Sequence, residues 1–318
     1  MTAPHAVGID LGATKILAVR AAGTGEVLQS VRLDTPRSPA DELVAVLAGA
    51  VAQLRTEKVA SIGMGLPGMV DAGTGALTYA PGLGFESAPL RAMLQDAAGL
   101  PVVTDNDANV AAWAEHRHGA GVGVDDLILV TLGTGLGCGM VVDGRIFRGR
   151  HGYATEVSHL ILDPDGPPCE CGKVGCWGIV TAGRNIGRLG SAAAAADPAS
   201  KIAALLASGM PATALSVTAA AEAGDRSALA ILAYVGDMLG RGLASLANLL
   251  DPSMMIVGGG PAAAGELLLG PARESFARWL YAADRRPGVP IVQARFGVSA
   301  GAVGAAVLAI DTFGATRR

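Results

Sequence analysis

The sequence predicts an α/β protein with two domains that flank a cleft. Short apolar strands alternate with segments of helical periodicity along the chain, which is the pattern of α/β folds. Two strand–turn–strand segments, one in each half, carry Gly and Thr in their turns. The chain has 318 residues, which is enough for two domains with substantial cores. Two α/β halves that begin in the same way predict a ligand cleft between them.

The N-terminal half begins with a predicted β-hairpin, because apolar residues 6–9 and 16–21 flank a polar, Gly-containing turn at 10–15. Residues 39–55 carry apolar side chains at helical spacing, and residues 109–117 follow an Asn/Asp cluster that suits a helix cap. The other predicted elements of this half are strands at 27–33, 59–65 and 102–104 and a helix at 90–98.

The second half repeats the order of the first. Residues 127–131 and 138–142 are predicted strands around a second glycine turn at 132–137, and this repetition predicts an internal duplication. The elements predicted after it are strands at 145–147, 253–257 and 291–294 and helices at 191–207, 216–223, 227–250, 271–281 and 300–310.

Composition argues against several classes of partner. The net charge is −4, the pI is near 5.7 and no basic run is present, so neither nucleic acid nor an anionic membrane surface is an expected partner. Long uncharged stretches, such as 127–142, are broken by Gly and Thr, and no membrane span is predicted. Nothing in the sequence suggests secretion, and four cysteines, three of them clustered, fit the reducing cytoplasm.

His159, Cys169, Cys171 and Cys176 form a compact set of potential metal ligands. One imidazole and three thiolates suit a closed tetrahedral zinc site, and the short spacing lets one loop supply most of the ligands. The alternative is a disulfide with a spare thiol. It is disfavoured, because neighbouring cysteines in a Cys-x-Cys pattern are poorly placed to bridge each other. The cluster therefore predicts a structural zinc site.

Two glycine turns are candidate phosphate sites. In the turn at 10–15, backbone N–H groups near Gly12 can face phosphate oxygens, Thr14 can donate, and Asp10 can organise a hydrated Mg²⁺. The turn at 132–137 occupies the equivalent place in the second half. It is not a P-loop, because the lysine and the following helix are missing, and it leads into a strand where a dinucleotide fingerprint needs a helix.

A third glycine turn, Gly258-Gly259-Gly260, follows a predicted buried strand and precedes a helix. Glycines there would permit close approach of a flat base or ribose. Simple packing between the strand and the helix explains them equally well, so the sequence leaves both interpretations open.

Asp105, Asn106 and Asp107 lie at the predicted junction of a strand and a helix. Ligand sites of α/β proteins concentrate at such strand ends, where a carboxylate can act as general base toward a hydroxyl nucleophile. Asp and Asn are also good helix caps. One residue can cap while its neighbour reacts, so the two interpretations are compatible.

These motifs, in this order, resemble the ROK family (repressors, open reading frames and sugar kinases) of the actin-like ATPase superfamily. The resemblance covers essentially the whole chain, and the ordered set is specific although no single glycine turn is. The matching motifs are Asp10-x-Gly12-x-Thr14-Lys15, Gly65-x-Pro67-Gly68-x-x-Asp71, Asn106-Asp107-Ala108-Asn109, Leu132-Gly133-Thr134-Gly135-x-Gly137, Glu156-x-x-His159, the Cys-x-Cys-Gly-x-x-Gly-Cys loop, and Asp251-Pro252 leading to Gly258-Gly259-Gly260.

The resemblance implies two actin-like (ribonuclease H-like) α/β domains flanking a cleft, with a zinc loop at 159–176. The N-terminal domain would comprise residues 1–118, completed by a C-terminal helix at about 300–318, and the C-terminal domain residues 119–299. The implied activity is ATP- and Mg²⁺-dependent phosphorylation of a sugar hydroxyl, commonly O6 of a hexose. A cytoplasmic homo-oligomer, dimer or tetramer, is expected.

The resemblance also assigns roles to residues. Asp107 would be the catalytic base, and His159 would bridge zinc and substrate. The residues that would bind the sugar are Gly68, Asn106, Asp107, Glu156 and His159. The residues that would bind the nucleotide and its metal are Asp10, Gly12, Thr14 and Lys15 in the first phosphate segment, Gly133, Thr134 and Gly135 in the second, and Gly259 and Gly260 beside adenosine.

Three positions depart from the pattern of the family's sugar kinases. Ser158 stands where Gly usually precedes the zinc-binding His, Gly178 where a sugar-binding Glu is usual, and Gly82 where Asn is frequent. Losing a carboxylate that accepts a sugar hydroxyl costs on the order of 1–3 kcal/mol if the group is left unpaired. The leading hypothesis is a glucokinase-like hexose kinase, and the nearest alternative is a kinase for an atypical sugar or cyclitol.

A sugar-responsive repressor is a further alternative from a different class. Its usual N-terminal helix-turn-helix domain has no room ahead of a phosphate strand that begins at Ala6, and the intact Asp107 also argues against it. The sequence leaves open which sugar is used and whether ATP or polyphosphate is the phosphoryl donor.

Overall fold

The computed structural model describes residues 4–80, 82–85 and 87–314. Contacts between residues divide them into two compact units. Unit 1 comprises the chain up to Leu129, Gly139–Thr155 and the chain from Arg295 onward, and unit 2 comprises Val130–Cys138 and Glu156–Ala294. The predicted domain boundaries after residues 118 and 299 stay predictions.

Unit 1 is built on a five-stranded mixed sheet with the order β3-β2-β1-β4-β7. The hairpin partners β1–β2 and β2–β3 are antiparallel, and β1–β4 and β4–β7 are parallel. The strands of this half are β1 His5–Leu11, β2 Lys15–Ala22, β3 Val27–Asp34, β4 Val59–Leu66, the short pair β5 Met69–Val70 and β6 Leu77–Tyr79, and β7 Val102–Asn106. The helices are α1 Ala40–Leu54, α2 Leu90–Ala98 and α3 Asp107–His118, and the last helix of the chain, α10 Ala300–Gly314, also belongs to this unit.

Successive residues of β1 enter different hydrophobic clusters, because side chains alternate between the two faces of a strand. Val7 and Ile9 belong to the buried cluster that contains Leu47 of α1. Ala6 belongs to the cluster that contains Ala302 of α10. The sheet is therefore covered on both faces, which explains why residues 6–9 of β1 are all apolar.

Two glycines let α10 lie directly against the sheet. A Cβ on Gly8 of β1 would lie 1.9 Å from the carbonyl oxygen of Ala302, and one on Gly63 of β4 would lie 1.8 Å from that of Ala305. No side chain fits at such distances. These glycine–alanine contacts fix α10 against β4 and against β1, the strand that carries Asp10.

The second sheet has the order β10-β9-β8-β11-β12, which repeats the strand order of the first sheet in sequence. This correspondence agrees with the predicted internal duplication. The strands are β8 Leu127–Leu132, β9 Leu136–Val142, β10 Arg145–Ile146, β11 Met254–Gly258 and β12 Ile291–Gln293. The helices are α4 Trp177–Thr181, α5 Gly183–Ala196, α6 Lys201–Ala207, α7 Ala214–Glu222, α8 Arg226–Leu250 and α9 Glu266–Trp279.

Two helix predictions were wrong in detail. The single helix predicted at 191–207 is two helices, α5 and α6, because Pro198 lies two residues beyond the end of α5 and cannot donate a helical hydrogen bond. The helix predicted to start at Pro271 starts at Glu266 and contains Pro271 in its interior. Proline is most frequent in the first turn of a helix, so it was a misleading start signal here.

The sequence also gave no sign of α4, and it predicted neither the start of α5 at Gly183 nor the β5–β6 pair. Trp177 in α4 is fully buried, and its indole Nε1 donates to the carbonyl oxygen of Met238 in α8 at 3.1 Å. Because Trp177 directly follows Cys176, this contact anchors the end of the cysteine loop to the core of unit 2.

Two segments, Arg226–Leu250 and Gly297–Gly314, are long and apolar enough to cross a membrane by length and composition. More than half of each apolar window, 61% and 56%, is buried inside the protein. Core helices have the same properties, so these segments are weak evidence for a membrane span.

Candidate active site and metal centre

Asp107 is the first residue of α3 and directly follows β7. The cap of this helix is Asn106, whose side-chain oxygen accepts hydrogen bonds from the backbone N–H groups of Ala108 at 2.9 Å and Asn109 at 3.2 Å. One carboxylate oxygen of Asp107 accepts from the N–H of Ala108 at 2.8 Å. The predicted base therefore lies at the N-terminal end of a helix, where the helix dipole is positive.

Asn106 is also tied to Gly68, another residue predicted to bind the sugar. Its amide donates to the carbonyl oxygen of Gly68 at 3.1 Å. Gly68 has a φ of 80°, and a Cβ there would lie 2.2 Å from the carbonyl oxygen of Tyr79. Glycine is required at this turn. Unit 1 thus brings Gly68, Asn106 and Asp107 together at the end of β7.

The buried carboxylate of Asp105 supports this junction. Its oxygens accept from the N–H of Asn106 at 2.8 Å, the side-chain amide of Asn109 at 2.9 Å and Nε of Arg148 at 2.7 Å. Sequence reasoning missed Arg148, because it lies 43 residues from Asp105 and in no recognisable motif.

The first phosphate turn is an exposed, tight hairpin. The N–H of Gly12 donates to the carbonyl oxygen of Lys15 at 2.9 Å, and Thr14 and Lys15 are exposed. Thr35, which directly follows β3, holds the turn. Its hydroxyl donates to the carbonyl oxygen of Gly12 at 2.7 Å, and its N–H donates to that of Thr14 at 3.0 Å. No sequence signal pointed to Thr35.

Asp10 is the penultimate residue of β1, at the base of this turn. Its side chain keeps some solvent exposure, yet the protein around it withdraws the carboxylate from water and raises its pKa to about 6. A carboxylate in this position can hold a hydrated Mg²⁺, which would offset that loss of hydration.

In unit 2, the second phosphate turn and the third glycine turn lie against each other. Gly133, Thr134 and Gly135 are exposed between β8 and β9, with the N–H of Gly133 donating to the carbonyl oxygen of Gly135 at 2.8 Å. Gly259 has a φ of 85°, and a Cβ there would lie 2.0 Å from the carbonyl oxygen of Leu132. Close packing explains Gly259, whereas nothing lies within 4 Å of a Cβ on Gly260.

The ligand atoms of His159, Cys169, Cys171 and Cys176 all lie within 4.8 Å of one another. Cys171 Sγ and Cys176 Sγ are 3.5 Å apart, and Cys169 Sγ is 3.8 Å from Nδ1 of His159. Ligands at normal zinc–sulfur distances on a tetrahedron are separated by roughly 3.8 Å. The donor set and its spacing therefore fit the predicted zinc site.

Glu156 immediately precedes a single 3₁₀ turn, Val157–His159, and His159 ends it. The N–H of His159 donates to the carbonyl oxygen of Glu156 at 3.3 Å. Protein around the carboxyl of Glu156 raises its pKa, and nearby His159 partly opposes the shift. Both side chains remain exposed and available to a ligand.

Comparisons with known proteins agree with these motifs. A sequence model of the ROK family matches residues 6–312. The chain belongs to the ROK family. A glucokinase from Streptomyces coelicolor is 37% identical over 307 residues, covering 95% of this ROK protein and 96% of the relative. An N-acetylmannosamine kinase from Salmonella typhi is 32% identical over 308 residues, covering 95% and 97%.

Among solved structures, a ROK family glucokinase from Streptomyces griseus in complex with glucose and AMPPNP matches this ROK protein with a TM-score of 0.89. The two are 39% identical, and the match covers 96% of this chain and 99% of the other. The predicted α/β fold is thereby confirmed.

The departures Ser158 and Gly178 lie in contact in this ROK protein. A Cβ on buried Gly178 would lie 2.1 Å from Oγ of Ser158 and 3.2 Å from its Cβ. Gly82 is constrained in the same way, because a Cβ there would lie 2.8 Å from that of Ala13 in the first phosphate turn. The side chain at 158 therefore limits the size of the residue that fits at 178, so these two departures from the family pattern are structurally linked.

Proposed function

We propose that this ROK protein is a glucokinase-like hexose kinase that transfers the γ-phosphoryl group of ATP to O6 of glucose or a related hexose, with Asp107 as general base. The observation that carries the proposal is the similarity, over nearly the whole chain, to a ROK glucokinase in complex with glucose and AMPPNP. The similarity to glucokinases supports the broader statement that the chain is an ATP-dependent sugar kinase.

The proposed chemistry needs one base and a set of groups that hold charge in place. Asp107 accepts the proton of the sugar hydroxyl while the hydroxyl oxygen attacks the γ-phosphorus. The bond between the γ-phosphorus and the β,γ-bridging oxygen breaks, which releases ADP. Asn106 and Gly68, which are hydrogen-bonded to each other, would orient the sugar beside Asp107. Glu156 and His159 would bind further sugar hydroxyls.

The two exposed glycine turns would bind the phosphates. In the first turn, Gly12 would let the phosphates approach the backbone, Thr14 would supply a hydroxyl and Lys15 an ammonium group. Gly133, Thr134 and Gly135 would act similarly in the second turn. Gly259 and Gly260 would border adenosine. Mg²⁺ held by Asp10 would neutralise charge on the transferred phosphoryl group. Zinc held by His159 and the three cysteines would fix the loop that carries the sugar-binding residues.

A coupled assay with ATP over a panel of hexoses, amino sugars and cyclitols tests the substrate. We expect the highest kcat/KM with glucose or a close relative. A parallel series with polyphosphate identifies the donor. Retained sugar binding without phosphorylation of any sugar would contradict the proposal and indicate a regulatory protein.

Asp107→Asn tests the base. Turnover should be abolished while sugar affinity, measured by calorimetry, is retained, because the amide cannot accept the proton. Asp96→Asn, which changes an exposed carboxylate on α2, is the matched control. Near-normal turnover of Asp107→Asn would exclude Asp107 as the base.

A second candidate is a kinase for a modified hexose or a cyclitol. The contact between Ser158 and Gly178 favours it, because the hydroxyl of Ser158 lies where the stem of any side chain at 178 would start. A substrate that presents a different group at that end would suit such a site. A clear preference for glucose in the sugar panel would exclude this candidate. The oligomeric state and the cytoplasmic location stay predictions.

A further inference from the structure

The carboxylate of Asp105 lies one residue before the end of β7, and its side chain is only 5% exposed. All the partners given above are donors: a backbone N–H, a side-chain amide and a guanidinium group. A buried carboxylate is stable only with such partners, and a charged donor contributes more than a neutral one. Asp105 is therefore fully engaged in holding its surroundings.

The partners of Asp105 flank Asp107 in the chain. Asn106 immediately precedes Asp107, and Asn109 follows it by two residues within the first turn of α3. Asn106 in turn caps α3 and holds Gly68. The Asp105 carboxylate thus holds the backbone N–H on the N-terminal side of Asp107 and the side-chain amide of Asn109 on its C-terminal side, so a shift of this carboxylate would move the proposed base.

Arg148 supplies the cation. Among the ion pairs of the described residues, it is the only partner of Asp105. Arg148 lies just beyond β10, and its carbonyl oxygen accepts from the N–H of Ala154 at 3.2 Å, which fixes the backbone of this segment. Its side chain is 36% exposed, and its Nε lies 2.7 Å from Oδ2 of Asp105.

We infer that Asp105 and Arg148 form a positioning pair that places the carboxylate of Asp107 for catalysis. In this arrangement neither Asp105 nor Arg148 contacts the sugar. The inference rests on the proposed role of Asp107 as general base. A misplacement of a reacting group by about 1 Å can lower the rate on the order of 100-fold. Loss of the pair should therefore reduce kcat far more than it changes substrate binding.

The test compares Arg148→Met, which removes the charge and keeps an unbranched side chain, with Arg148→Lys and Asp105→Asn. We expect Arg148→Met and Asp105→Asn to lower kcat by about 10- to 100-fold. The KM for ATP should change by less than about twofold, because no phosphate-binding residue is altered. Arg148→Lys should recover most of kcat, since its ammonium can reach the same carboxylate oxygen.

The matched control is Arg117→Met, which breaks another Arg–Asp ion pair of unit 1, that with Asp311. Its kcat should stay within about twofold of the wild-type value. The double variant Asp105→Asn/Arg148→Met should be no slower than the slower single variant, because both changes remove the same interaction. Thermal unfolding shows whether each variant is folded, and if Asp105→Asn is not, the Arg148 series decides.

The inference is overturned if Arg148→Met retains wild-type kcat. If Asp105→Asn in addition abolishes turnover as Asp107→Asn does, Asp105 itself would be the base. Failure of the proposed function appears separately, as sustained turnover by Asp107→Asn or as no turnover by the wild-type protein with any sugar.

Discussion

Asp10 combines a carboxylate that we propose to hold Mg²⁺ with surroundings that disfavour its charge. It lies against the first turn of α10, where a Cβ on Gly301 would be 2.6 Å from its carboxylate. Its pKa rises from 3.8 to about 6 by burial. The folded-state pKa of Asp10 is therefore above that of the unfolded chain. At pH values between the two, the Asp10 carboxyl is protonated to a larger extent in the folded protein than in the unfolded chain. Stability should therefore fall as pH rises through this window.

We expect Asp10→Asn to remove this pH dependence. Above pH 6, where the wild-type carboxylate is ionised in both states, the variant without bound ligands should be more stable by at most about 3 kcal/mol. Its kinase activity should be lost, because the proposed Mg²⁺ ligand is gone. Urea unfolding from pH 4.5 to 7.5 measures the effect, with Asp96→Asn as control. Equal slopes for wild type and Asp10→Asn would contradict the prediction.

At position 178, the outcome of a substitution depends on position 158. Gly178→Glu alone should impair stability and activity, because its Cβ would collide with Ser158 Oγ at 2.1 Å. Ser158→Gly/Gly178→Glu removes the collision and adds a carboxylate that can accept sugar hydroxyl bonds worth about 1–3 kcal/mol. The double variant should therefore have a higher kcat/KM for glucose than either wild type or Gly178→Glu.

Steady-state kinetics with glucose and ATP on all four proteins, including Ser158→Gly alone, measure this coupling. The KM for ATP serves as an internal control and should not change. If the double variant is no better than Gly178→Glu, the contact between positions 158 and 178 does not determine sugar preference.

At the scale of elements, the packing of α10 on the sheet depends on the absence of side chains. Gly8→Ala should lower the free energy of unfolding by about 3 kcal/mol or more, because its Cβ would lie 1.9 Å from a backbone oxygen that cannot move independently. Gly49→Ala in α1 is the matched control. It is exposed, with nothing within 4 Å of its Cβ, and should stabilise by about 0.5–1 kcal/mol.

Chemical denaturation of both variants gives the two free energies. A loss below about 1 kcal/mol for Gly8→Ala would mean that α10 can shift away from β1 at little cost.

Elements were predictable where their signals are local. The hairpin of β1 and β2, the periodic helix α1 and the Asn-capped helix α3 all follow from residues within one element. Pro271 misled because it is tolerated inside α9, where its Cβ packs near the position of Gly236 in α8. The strand orders of both sheets depend on contacts distant in sequence, and only the repeated hairpin hinted at their correspondence.

The candidate site was predictable to the extent that its residues lie in motifs. The predicted zinc ligands are close in sequence and also close in space. Arg148 and Thr35 hold site residues across 43 and 23 positions, and an arginine or threonine in such a place has no distinguishing pattern. The contact between Ser158 and Gly178 was likewise invisible, because it depends on how the chain folds back after the cysteine loop.

At the scale of the whole molecule, zinc should couple stability to ligand binding. We expect one zinc per chain by elemental analysis. Chelation should lower both the melting temperature and the sugar affinity, because His159 lies in the metal-ligand cluster and is also proposed to bind the sugar. Cys171→Ser should lose the metal. Cys138→Ala, which alters the buried cysteine outside the cluster, should retain it. Full zinc content in Cys171→Ser would contradict this assignment.

The position of α10 also bears on how the protein is synthesised. Unit 1 starts at the N-terminus, but its sheet is covered by a helix that begins at Ala300. Domains commonly fold as they leave the ribosome, at about 5–20 residues per second. Here the first strands must wait until nearly all of the chain has been translated, whereas most of unit 2, Glu156–Ala294, emerges as one block. We therefore expect unit 2 to fold first on the ribosome, leaving the face of β1 that α10 covers exposed until the end of the chain emerges.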